Sequence, residues 1–258
     1  MSVKILRRVF IVVVICLIAS ECYGASSFYR NLSKRFSSNR ENYSHLSDEE
    51  FANFREITTK GIAPGKLYRS YSPIRDNERS RITREKSQEL GIKTFINLSD
   101  SDKVLKEQTV FPGSYYSKQR FITLNMKMKF QHKNFQDRLA RGIKFIAANE
   151  APYLVHCILG KDRTGFVCAI LECLTGASLD EIVSDYLLSF TNYFGIMPGT
   201  RDYDFVANNE IRAFLSRAFG VKDIERVNLA VCAERYLLRI GVNKLEIETL
   251  KRKLNPLP

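Results

Sequence analysis

The chain has 258 residues, 45% of them apolar and 26% charged, which suits one core of ordinary size near the upper limit for a single domain. That balance excludes a collagen, low-complexity or disulfide-scaffold class. The formal net charge of +12 favours anionic partners: phosphorylated substrates, inositol phosphates, anionic lipid headgroups or nucleic acid.

Lys4, Arg7 and Arg8 precede an uninterrupted apolar run, Val9 to Ala19, and Cys22-Tyr23-Gly24 then offers small residues where a signal peptidase reads. The run is short for a membrane span. Residues 1–24 therefore read as a signal peptide cleaved after Gly24, with an uncleaved membrane anchor as the minor alternative. Export would make the protein periplasmic or secreted, and would leave Cys157, Cys168, Cys173 and Cys232. Cys168 and Cys173 fall within one apolar helical stretch, where buried free cysteine is common, so thiols rather than disulfides are expected.

Residues 25–46, rich in Ser, Asn and Arg, show no sustained periodicity and read as a flexible leader. The folded domain is placed at 47–258. Ser47-Asp-Glu-Glu50 caps a short helix, 65-GKLYRSYSP-73 is a strand ended by Pro73, and 79–90 is a surface helix closed by Gly91. The stretch 92-IKTFINLS-99 is a strand bounded by Asp100-Ser101-Asp102, and 119–125 is another. Residues 132–149 set Phe135, Leu139, Ile143 and Ile146 on one helical face. A strand at 152–156 follows. The helix from Thr164 to Leu174 is apolar nearly all round, so it should be buried, and Gly176 stops it. Ser178 and Glu181 form a capping box for a helix with Ile182, Val183, Tyr186 and Phe190 inside. Helices are expected around 202–218 and 223–240, and Asn243 with Glu246 caps a last one. This order predicts an α/β fold: a central, mostly parallel sheet flanked by helices, with a helical C-terminal part. Residues 191–230 read as a helical insertion or lid, and a monomer is expected.

The functional signal is 156-HCILGKDRTG-165. A strand that turns directly into a helix exposes backbone N–H groups with no internal partner, backed by the positive end of the helix dipole. That is a phosphate cradle. Ile158, Leu159, Gly160, Lys161, Asp162 and Arg163 form it, and Gly160 permits its curvature. Cys157 sits at the entry, where the same field stabilises a thiolate nucleophile. Arg163 supplies a planar fork for two phosphoryl oxygens. The Thr164 hydroxyl is placed to donate to the Cys157 sulfur and support it as a leaving group. His156 is read as an internal brace rather than a base.

The loop resembles the signature of the cysteine-dependent tyrosine and dual-specificity phosphatase superfamily. Its Gly-Lys-Asp-Arg-Thr-Gly version is most similar to a bacterial tyrosine phosphatase family. The resemblance extends to 53-NFREI-57, 65-GKLYRS-70, 181-EIVSDYLLS-189 and 236-YLLRIGVNKLEIETLKRKL-254, and so covers about residues 51–254. It lacks the glycine pair usual after the first motif, and it is loose from 191 to 235. It implies a tyrosine-phosphatase-like fold and a phosphocysteine intermediate, with phosphoserine or phosphoinositides as further substrates.

Phosphoester hydrolysis also needs an acid for the leaving oxygen, and no Asp lies between 103 and 136. Asp162 is the first candidate: beside a bound dianion it is tolerated only when protonated. The similar bacterial family is thought to use this loop aspartate as its acid. Asp100 or Asp102 is the runner-up, and a salt bridge from Asp162 to Lys161 or Arg69 is the structural alternative. Lys161 reads as a second cation at the rim, either an extra contact for an acidic substrate such as a phosphoinositide or inositol polyphosphate or a solvated lysine, and the positive net charge adds an anionic membrane surface to the candidate partners. A catalytically inactive phosphate-binding module is the remaining reading. No cofactor, metal or nucleic-acid site is expected, because His45 and His132 are isolated and no aromatic-interleaved basic motif occurs.

Overall fold

The computed structural model describes residues 27–255, and the signal-peptide reading lies outside them. The described residues fall into two compact units that part between Asn42 and Tyr43. In the first, residues 27–33 are helical, where the sequence reading saw no periodicity. Phe28 and Leu32, at i and i+4, are the short apolar repeat in this stretch.

The second unit is built on one five-stranded sheet in the order β1-β2-β5-β3-β4. The strands are β1 (Arg55–Glu56), β2 (Leu67–Ser70), β3 (Thr94–Asn97), β4 (Arg120–Thr123) and β5 (Tyr153–His156). Only β1 runs antiparallel to its neighbour. β2, β3 and β5 are buried at every position, without alternation, as strands covered on both faces must be.

The helices are α1 (Asp48–Phe51), α2 (Glu78–Glu89), α3 (Asp102–Lys106), α4 (Lys133–Ala148), α5 (Asp162–Thr175), α6 (Leu179–Phe194), α7 (Arg201–Ala207), α8 (Ala213–Phe219), α9 (Leu229–Arg239) and α10 (Lys244–Leu254). The sheet register sorts the core. Tyr68, Leu154, Phe95 and Phe121 lie in one row across the sheet. That row packs into a cluster with Phe51, Ile82, Ile92, Leu105 and Tyr116, with Phe95 and Tyr116 stacked at 4.1 Å. The next row, Arg69, Val155 and Ile96, turns to the opposite face.

On that opposite face lies α5, buried from Thr164 through Leu174 and ended by Gly176 at φ 94°, as its all-round apolar pattern requires. It packs against α6, α9 and α10. Gly165 makes the approach feasible: a Cβ there would lie 2.5 Å from the Tyr186 ring and 3.1 Å from Arg69 Nη2. The helix opens at Asp162, before the expected Thr164, because its first turn is polar and invisible to an apolar period. Both capping boxes form, at Ser178–Glu181 and Asn243–Glu246. The helix expected at 202–218 is instead α7, a π-helical turn over Asn208–Arg212, and α8. The one expected at 223–240 begins only at Leu229, capped by Asn228, because a short 3-10 turn, Ile224–Arg226, takes up the preceding residues. Cys157, Cys168, Cys173 and Cys232 are free thiols.

Candidate active site

β5 is the middle strand, and His156 is its last residue, in register with Ser70 and Asn97. The chain leaves the sheet here, at the carboxyl ends of parallel strands, where α/β sheets place their ligands. Cys157 follows at 2% exposure. Between it and α5 every loop carbonyl is held from outside the loop. Ile158 O accepts from Ser72 N at 3.0 Å. Leu159 O accepts from Tyr193 OH at 2.5 Å and Asn53 Nδ2 at 3.2 Å. Gly160 O accepts from Arg69 Nη2 at 2.9 Å and Asn53 Nδ2 at 3.2 Å. Lys161 O accepts from Arg69 Nη2 at 3.2 Å and Gly165 N at 2.8 Å. A tight loop whose carbonyls all point outward turns its N–H groups the other way, into a nest for an anion.

Two further features complete the nest. Gly160 has φ +69°, and a Cβ there would lie 2.1 Å from Ser70 O, so no side chain fits at this turn. The N-terminus of α5 has no side-chain cap, unlike α6 and α10. Its first N–H groups and dipole are thereby presented to the loop.

Arg163 lies on the first turn of α5. Its Nη1 donates to Met126 O at 3.0 Å, and its Nε is buried with no partner among the described residues. The backbone after β4 thus aims the guanidinium, and part of its fork stays available for phosphoryl oxygens. Beside it Asp162 is ion-paired with Lys161. The Lys161 ammonium does not reach the rim. It is 12% exposed and lies 4.1 Å over the Phe190 ring. Burial opposes its charge, but Asp162 and Glu210 outweigh burial and hold it above the ordinary amine range. Glu210 sits on the π-helical turn and accepts from Tyr186 OH at 2.6 Å.

A model of the tyrosine phosphatase family matches residues 46–255. The chain belongs to this tyrosine phosphatase family. Triple specificity protein phosphatase PtpB of Mycobacterium tuberculosis is 41% identical over 70 residues, which is 27% of this chain and 25% of that protein. Among solved structures, the core catalytic domain of the PP-IP phosphatase SIW14 from S. cerevisiae shares 20% identity, covering 65% of this chain and 91% of that one at a TM-score of 0.36. P. aeruginosa TpbA in complex with pTyr shares 18%, covering 77% and 94%, at a TM-score of 0.43.

The structure differs from the sequence expectation at several site residues. The Thr164 hydroxyl is buried without a hydrogen-bond partner among the described residues, so the expected donation to the Cys157 sulfur is not made. Of the two cations considered as partners for Asp162, Lys161 pairs with it and Arg69 does not; Arg69 is committed to Asp185. Asp100 is ion-paired with Arg75 at 2.5 Å and accepts from Ser99 Oγ at 2.8 Å. Burial works against its charge, but these partners more than reverse it and hold the carboxyl below its usual range, which suits an acceptor rather than a proton donor. Asp102 is an exposed first-turn residue of α3 that accepts from Thr123. His156 is fully buried with Nε2 3.1 Å from Tyr116 OH, and burial pushes it down to about 4. The brace reading fits that environment. Among the described residues no three His, Cys, Asp or Glu side chains group as metal ligands.

Four residues to which the sequence assigns no role, Asn53, Arg55, Asp185 and Ser189, also belong to the site. Arg55 donates to Asp185 Oδ1 at 2.8 Å and to Asn53 Oδ1 at 2.8 Å. Ser189 Oγ receives Asn53, Arg55 and Arg69 at 3.1 to 3.3 Å. Asp185 was findable: it falls on the inner face of α6, three residues after Ile182 and four before Ser189. A charged residue on an apolar stripe needs a buried partner.

Proposed function

We propose that this protein is a cysteine-based phosphatase acting on phosphotyrosine and on at least one further class of phosphomonoester. The observation that carries the reading is the loop itself: Cys157 at the floor of a nest whose carbonyls are all held outward, with Arg163 on its edge. The name of the mycobacterial relative supports the breadth of substrate.

In the first step the Cys157 thiolate attacks phosphorus, a P–S bond forms and the P–O bond to the alcohol breaks. Loop N–H groups and Arg163 hold the equatorial oxygens, whose charge is spread in the transition state. Asp162 gives the leaving oxygen its proton. In the second step water attacks phosphorus and the P–S bond breaks. Asp162 takes the proton from water, and inorganic phosphate leaves with the thiolate restored. Lys161 can release Asp162 for this work because Glu210 and the Phe190 ring also hold its ammonium.

The test is initial rates on a panel of phosphotyrosine, phosphoserine and phosphoinositide substrates, with Cys157→Ser as control. Turnover of phosphotyrosine and a second class, abolished by Cys157→Ser, is expected. Turnover of inositol lipids alone would replace the protein-phosphatase reading. No turnover of any phosphate ester would leave the inactive binding module. For Asp162, the expected result is that Asp162→Asn slows alkyl phosphates far more than aryl phosphates with good leaving groups; equal losses would move the acid elsewhere.

The reading includes export, supported by the residue pattern of 1–24. Mature protein beginning at Ala25 outside the cytoplasm is expected on N-terminal sequencing of cell fractions, and retention of residues 1–24 would overturn cleavage.

A further inference from the structure

Behind the phosphate loop the hydrogen bonds close into a ring. Starting from Gly160 O, Arg69 Nη2 donates at 2.9 Å, and the other amine of the same guanidinium pairs with Asp185 Oδ2. Asp185 Oδ1 takes Arg55 Nε at 2.8 Å. Arg55 Nη1 reaches Asn53 Oδ1 at 2.8 Å, and Asn53 Nδ2 returns to Gly160 O at 3.2 Å. Ser189, one turn after Asp185 on α6, accepts from Asn53, Arg55 and Arg69 inside the ring.

Two guanidinium groups meet one carboxylate here. The nearby Glu172 carboxyl is fully buried with no partner among the described residues, and burial, reinforced by Asp185, pushes it well above the usual carboxylate range. Burial also opposes the Asp185 charge, but Arg55 and Arg69 outweigh it and hold this carboxylate ionised. Arg69 itself is completely buried. It can hold the Gly160 and Lys161 carbonyls only while its other edge is neutralised, because an unpaired buried guanidinium would move toward water.

We infer that Asp185 is a positioning residue for phosphoryl transfer: by fixing Arg69 and Arg55 it holds the backbone of residues 158–161 in the anion-binding shape before any anion arrives. The inference rests on the phosphatase reading for its consequence in catalysis, but anion binding tests it separately. It opposes simple electrostatics. Removing a negative charge near the nest should tighten anion binding if charge alone counts. If Asp185 acts through geometry, removing it should weaken binding despite the gain in positive charge.

The experiment is Asp185→Asn in the full chain, with orthovanadate and inorganic phosphate affinity measured by calorimetry, and kcat and KM on p-nitrophenyl phosphate. About tenfold weaker anion binding and a kcat lower by roughly 10- to 100-fold are expected, the scale of a small misplacement at a reacting centre. Unchanged or tighter anion binding by a folded variant overturns the proposal. Leu187→Ala, a core change on the same helix and outside the ring, is the control. It should lower Tm without changing anion affinity, and equal weakening in both variants would reduce Asp185 to a structural role. If Asp185→Asn does not fold, Ser189→Ala decides, since it removes an acceptor common to three donors and leaves the charges in place. A threefold or larger loss of anion affinity is then expected, and no loss overturns the proposal. If the wild type binds vanadate yet turns over no phosphate ester, the phosphatase reading fails while the positioning test still stands.

Discussion

The rear and the front of the phosphate loop are built on different principles. At the rear, Arg69, Asn53 and Ser189 are completely buried and each makes several hydrogen bonds. At the front, Asp162 is 33% exposed and pairs with Lys161, and Arg163 donates to Met126 O while its buried Nε has no partner among the described residues. Rigidity belongs at the rear. Groups that shape the nest must not move, because reorganising a dipole during the reaction costs what preorganisation saves. Groups that carry protons or grip a changing phosphoryl group must stay free to re-pair.

Substitutions can break this comparison. The largest effect is expected at the rear, from Gly160→Ala. The added Cβ would lie 2.1 Å from Ser70 O at a positive φ, so the loop cannot close as it does. A loss of phosphatase rate of at least ~100-fold is expected for the cost of misplacing the reacting groups, checked by kcat/KM on an aryl phosphate beside a thermal melt. Activity near wild type would show that the rear is not rigid. Arg163→Lys at the front comes next, keeping charge but losing the fork. A loss of about 2.7–4 kcal/mol in transition-state stabilisation is expected, as for other removed oxyanion donors, with Tm little changed. Lys161→Met should do less: the slightly shorter, uncharged chain can still cover Phe190 while the pair with Asp162 goes, so a rate change of roughly 3- to 10-fold and a small shift in Tm are expected, in keeping with the ~1 kcal/mol scale of such pairs.

A pH dependence is expected in stability rather than in rate. The folded-state value of His156 is depressed to about 4, below the roughly 6.5 of an unfolded chain. Its contribution is therefore fully present above about 6.5 and lost as pH falls toward 4, with a slope of at most ~1.4 kcal/mol per pH unit for one proton. Melts at pH 7, 5.5 and 4.5 should show a shallower decline in His156→Gln than in wild type; parallel declines would remove His156 as the cause.

What was legible in the sequence was local. The run from the end of β5 into α5 announced the nucleophile, the cradle and Arg163, because strand, loop and helix there are contiguous. Short apolar runs bounded by turn residues placed β2 to β5, and the 3.6 period placed most of the helices; the two-residue β1 is too short to leave a pattern. The ring behind the loop was not legible, because its bonds join residues far apart in the chain: Asn53 to Gly160 across 107 positions, and Arg69 to Asp185 across 116. The direction of Lys161 was misread for the same reason, since Phe190 on α6 decides it. The break at Asn208–Arg212 escaped notice because a π-helical turn alters the helix period by a single residue.

The order of the sheet bears on how such a protein would fail. The strand that delivers Cys157 lies between two neighbours, while Arg55, at the far end of the rear ring, belongs to the two-residue strand on an outer edge. Edge strands open first in native-state fluctuations, and central ones only with the whole domain. Mild heating should therefore disable the site in two stages, first by loosening an arginine at the margin and only later by melting the strand beneath the sulfur. Amide exchange would register the first stage in β1 well before β5 lost its protection.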